Sequence, residues 1–100
     1  MTDPRNATRM ALGLAVEQLE ALRQGDLRAY DGRVAAFERA CEAVLGLPRA
    51  GFDPESRALL DELIGTSERV VAELGRIKDE TGGRLATLGR ARGASGAYLQ

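Results

Sequence analysis

The chain reads as an all-α protein: an antiparallel helical hairpin followed by one long third helix, a three-helix bundle whose C-terminal helix overhangs its partners. Three observations carry that reading. Helix start and stop signals punctuate the chain at Asp3-Pro4, Gly25-Asp26 and Asp53-Pro54. Between these marks apolar residues recur at spacings of three and four, the period of one helix face. Aromatic residues are only 4% of the chain, too few for a β-sandwich core or an aromatic-lined pocket, while 44% hydrophobic and 29% charged residues exclude wholesale disorder. One hundred residues make a single domain of modest core.

The first helix is predicted over about residues 3–24, with the Asp3 carboxylate capping the free amides and Pro4 at the first helical position. Leu12, Ala15, Val16, Leu19 and Leu22 fall on its inward stripe, and Glu17, Gln18, Glu20 and Arg23 face outward. Gly25 closes it and Asp26 caps the second helix, so the turn is short and the two helices run antiparallel. In the second helix, about 26–45, Leu27, Tyr30, Val34, Phe37, Cys41 and Val44 hold the a/d spacing of a packed seam and are expected in the core. Cys41 on that seam reads as a small buried hydrophobe, with no basic residue fixed beside it to activate a thiolate. Gly46 with Leu47-Pro48 ends the helix, and 46–53 is expected as the main flexible loop.

The third helix is predicted over about 54–92. Leu60, Leu63, Ser67, Val70, Leu74, Ile77, Thr81, Leu85 and Leu88 keep a near-heptad register, and Leu59, Ile64 and Val71 widen the stripe in its first half. At 1.5 Å per residue it reaches roughly 60 Å, against roughly 30 Å for the second helix, so it must overhang. An overhang with an apolar stripe calls for another protein or a second copy of the chain. Gly82-Gly83 is the expected kink, fray or break. Residues 93–100 form a flexible tail ending in Tyr98-Leu99, a pair that suits a docking anchor and equally a tail folded back on its own bundle.

Chemistry has little foothold in this composition. With one cysteine and no histidine the chain builds no internal disulfide, no zinc site and no histidine-based catalytic dyad or triad. The adjacent pairs Asp61-Glu62 and Asp79-Glu80 point about 100° apart on a helix and are solvated charges. The glycines at 89, 93 and 96 follow no strand and precede no Gly-Lys-Ser/Thr, so they cradle no phosphate. No cofactor, no metal and no enzymatic activity are expected.

Charge is unevenly distributed. Residues 1–80 carry 11 basic and 15 acidic side chains, a net of −4, whereas residues 81–100 carry Arg84, Arg90 and Arg92 without an acid, a net of +3. Three arginines without interleaved aromatics do not make a nucleic-acid surface. No basic start with an apolar run follows Met1, and no stretch approaches 18 apolar residues, so stable membrane insertion is not expected and the protein is expected in the cytoplasm.

The order of parts, "ALRQGDLRAY", then "LRAYDGRVAAFERACEAVL", a loop, and a long helix closing on "LGRARGASGAYLQ", resembles the FliT-type flagellar export chaperones and their FlgN-type cousins over about residues 10–99. The resemblance implies a cytoplasmic helical-bundle chaperone of type III secretion, serving flagellum biogenesis. It would bind a late substrate such as the filament-cap protein and deliver it to the export gate's cytoplasmic domain. Carried onto this chain, the client-binding candidates are Val71, Leu74, Ile77, Leu85 and Leu88, and Tyr98, beside Leu99, is the residue for docking on the gate. Leu27 stands where family members often place a large aromatic after the Gly-Asp turn. Longer members carry a further helix over the binding surface; the chain stops at Gln100, so an unmasked surface is expected. Beside the chaperone reading stands a structural one, a homodimeric bundle whose long helices pair only with each other and serve no client.

Overall fold

The computed structural model of the chain describes residues 3–96, with side-chain placement through residue 86. Three α-helices make up these residues: α1 (Pro4–Arg23), α2 (Leu27–Leu45) and α3 (Pro54–Gly96), with one turn of 3-10 helix at Arg49–Gly51. No strand occurs among them.

Local chemistry sets each boundary. The Asp3 carboxylate accepts the Arg5 amide at 3.1 Å, and Pro4 occupies the first helical position. At the other end of α1, Gly25 adopts φ +74, the left-handed conformation that an L side chain resists. Its amide donates to Leu22 O at 3.1 Å and the Asp26 amide to Ala21 O at 2.8 Å, a Schellman closure. Asp26 then accepts the Ala29 amide at 3.0 Å, so one residue ends α1 and starts α2. Gly46 ends α2 in a right-handed conformation, φ −77, and Pro48 prevents the helix from continuing. The following connection is anchored, contrary to its reading as the main flexible loop: Phe52, 7% exposed, is driven into the core. Asp53 accepts the Ser56 amide at 2.7 Å and starts α3.

α1 is the central element. Arg5 meets Asp53 and Glu55, each at 3.1 Å, and Arg9 meets Glu55 at 3.3 Å, which sets the N-termini of α1 and α3 side by side. At the far end Leu19 and Leu22 cluster with Val70, Leu74 and Ile77, so α1 and α3 run parallel. Arg33 on α2 reaches Glu17 at 3.1 Å, and Ala40 and Val44 pack with Ala7 and Ala11, so α2 runs antiparallel to both. Ala7, Ala11 and Ala15 form a ladder of small residues on α1 that lets α2 and α3 approach closely from its two sides. α2 and α3 barely touch each other.

That arrangement corrects the expected buried stripes. Gln18, expected outward, is 2% exposed, and Val16, expected inward, is 40% exposed. A helix with two neighbours buries a wide arc, and on α1 this arc centres on the alanines and takes in Gln18 and Thr8. α2 errs in the opposite sense. Having α1 as its main neighbour, it fully buries only Ala40 and Val44; Tyr30, Val34, Phe37 and Cys41 are half-buried and Leu27 is half exposed.

α3 is helical without interruption through Gly82-Gly83 and continues to Gly96, so residues 93–96, expected in the tail, belong to its last turn. Its 43 residues account for the 66 Å long axis of the molecule. Ile77 is the last described α3 side chain packed on α1. Residues 78–96 project past the bundle by about 28 Å.

Candidate functional site

Because α2 and α3 flank α1 without closing on each other, an apolar groove of about 540 Å³ opens between them. Cys41, Val44 and Leu45 form the α2 wall, and Leu60, Ile64 and Val71 the α3 wall. It runs on toward the loop, where Leu47 and Phe52 add apolar lining and Arg57 and Asp61 add charge. The exposure of its rim is extreme for such residues: Leu45 is 82%, Val71 68% and Ile64 50% exposed. Contiguous apolar surface of this kind makes the groove the candidate binding face.

Two rows on α3 distinguish core from groove. One row, Leu63, Val70 and Ile77, faces α1, and the next residue in its heptad is Arg84, polar just where α1 ends. The adjacent row, Ile64, Val71, Lys78 and Leu85, lies on the groove side; Lys78 interrupts it, and it is apolar again at Leu85, which is 63% exposed. Lys78, Asp79, Thr81, Gly82 and Leu85 line a shallow depression on the overhang. Thus the α1-facing row ends in Arg84, whereas the groove-facing row resumes at Leu85 after Lys78.

The candidates drawn from the sequence fall on three different surfaces. Val71 is on the groove rim and Leu85 on the overhang, both exposed. Leu74 and Ile77 pack against Leu19, Leu22 and Val70, so much of their apolar surface is already used within the bundle. The side chain of Leu88, and Tyr98 and Leu99 altogether, lie outside the described residues. The sequence reading missed Leu45 as groove wall; of the second-helix residues it placed in the core, Val44 is buried there, while Cys41 is only half-buried on the groove wall. The widened stripe at Ile64 and Val71 was the available signal, since a stripe broader than one neighbour needs implies a second neighbour.

Electrostatics at the groove are mild. Burial pushes the Cys41 thiol up, so it remains a protonated apolar wall at neutral pH. Below the groove, Arg76 binds Glu73 (2.9 Å) and Glu80 (2.6 Å), and the guanidinium holds the Glu73 carboxyl below its ordinary range. Among the described residues no group of three or more His, Cys, Asp or Glu is placed to hold a metal ion, and no helix is long and apolar enough to cross a membrane. What the arrangement offers chemically is apolar helix surface, shaped to receive another helix. Comparison of the chain with protein-family models, with curated proteins and with solved structures finds no match.

Proposed function

We propose that the protein is a cytoplasmic binding protein of the flagellar export-chaperone kind. In this reading the groove between α2 and α3, with the overhang that prolongs it, receives an amphipathic helix from a late substrate such as the filament-cap protein. The observation that supports the reading is the open α2–α3 groove, whose α3 wall exposes Ile64 and Val71, with Leu85 exposed on the same row beyond Lys78. A client helix laid on that row meets Ile64, Val71, Lys78 and Leu85 in turn, the helix-in-groove mode of recognition. The resemblance of the chain to FliT-type chaperones supports the choice of client, and the export-gate docking role falls to Tyr98 and Leu99 with it. The protein acts by binding and performs no reaction.

Calorimetric titration of the full chain with the helical end of a flagellar filament-cap protein tests this. Saturable binding is expected, weakened tenfold or more by Val71→Asp, because a carboxylate would have to be desolvated beneath the client. Val71 is largely exposed, so the fold should be unchanged within about 0.5 kcal/mol. Absence of binding, or binding indifferent to Val71→Asp and Ile64→Asp, would refute the reading.

A further inference from the structure

Four charged side chains line the apolar groove: Arg49 and Arg57 at the loop end, Asp61 one turn along α3 from Arg57, and Glu68 toward the far end. On α3, Arg57, Asp61, Ile64, Glu68 and Val71 follow one another at spacings of four, three, four and three, so the charges share the stripe that carries the exposed apolar rim. All four are exposed, and among the described residues none takes part in an ion pair. That sets them apart from Arg5, Arg9, Arg33 and Arg76, each of which has an acidic partner within the chain.

While the groove is open these charges are hydrated. Covered by the apolar face of a helix, each must be desolvated, and a covered charge without a counterpart is strongly unfavourable. Asp61 answers one of the two arginines, its neighbour one turn away being Arg57. That leaves one positive charge at the loop end and one negative charge at Glu68, which lies about 16 Å along α3 from Arg57. We infer that the groove selects its occupant by charge as well as by apolar fit. The occupant is an amphipathic helix of another protein whose apolar face is flanked by an acid that meets Arg49 and Arg57 and, about eleven residues away, by a base that meets Glu68. Helices of equal hydrophobicity that carry two acids or two bases at these places are rejected at one end, because a covered like charge opposes docking. The selection rests on the helix-in-groove reading and adds the chemistry of the partner to it.

Three synthetic amphipathic helices test this, sharing one apolar face and differing only at the two flanking positions: glutamate with lysine, glutamate at both, and lysine at both. Calorimetric titration into the full chain should favour the mixed helix by about tenfold over either like-charged one. Glu68→Arg should transfer that advantage to the helix with two glutamates, and Arg49→Glu to the helix with two lysines. Both residues are exposed and unpaired, so neither substitution should disturb the fold. Val71→Asp should weaken all three helices, which places them in the groove; binding that ignores it lies elsewhere and overturns the selection. Equal binding of the three helices, or preferences that the two charge substitutions leave in place, would also overturn it while the helix-in-groove reading stands. If none of the three binds, the selection falls, and binding of the cap-protein helix alone would still uphold the client reading. An apparent affinity for the mixed helix that falls as protein concentration rises would put a second copy in the groove and overturn the selection as well.

Discussion

Single residues show where local chemistry and packing part company. Gly25 was legible in the sequence because a left-handed closure followed by a capping aspartate is a property of two adjacent residues. Gln18 was not, because its polarity places it outward until one knows that α1 has neighbours on both sides. Its carboxamide oxygen is buried without a hydrogen-bond partner among the described residues. Gln18→Met keeps the volume and removes that orphaned acceptor, so it should raise stability by about 1 kcal/mol in denaturant unfolding. A destabilised variant would mean that the amide is satisfied in solution.

At the scale of elements, the start of α3 is an electrostatic junction. The Ser56 amide first, then its hydroxyl and the Arg5 guanidinium, hold the Asp53 carboxyl below the ordinary aspartate range. A carboxyl lowered in the native state contributes stability that is complete above its unfolded value and lost as pH falls toward its native one. Glu73, lowered by Arg76, acts in the same direction. The melting temperature should therefore hold steady from neutral pH down to the upper edge of the carboxylate range and then fall. Asp53→Asn should melt lower at neutral pH and show a shallower acid decline, read by circular dichroism. Farther along α3, a Cβ added at Gly82 or Gly83 would meet nothing within 4 Å, so neither glycine serves close packing. Replacing both by alanine should stabilise the helical overhang by about 1 kcal/mol per site, seen as added helicity. The N-cap of α3 could be read from sequence, whereas its two seams could not be told apart, because both obey one period. Only the contrast between Arg84 and Leu85, viewed against the end of α1, separates the covered row from the open one.

For the whole molecule, a central helix with two flanking helices leaves one side of a four-helix arrangement vacant, and the α3 overhang extends that vacancy past the bundle. The all-α class followed from the helix start and stop signals and the three-four periodicity, and the overhang from helix lengths. The groove did not, because nothing local says that α2 and α3 both choose α1 and avoid each other; the alanine ladder of α1 decides it. The groove-facing row of α3 is proposed as a docking face for a helix. Amide hydrogen exchange tests it most directly, read on residues 60–71 and 78–86 of the full chain across a concentration series and again with the cap-protein helix added. Fast exchange is expected in the overhang when dilute, because a helix without a neighbour opens readily, with protection of both segments together as a partner helix accumulates. Exchange in the two segments that responds neither to concentration nor to the added helix would contradict it.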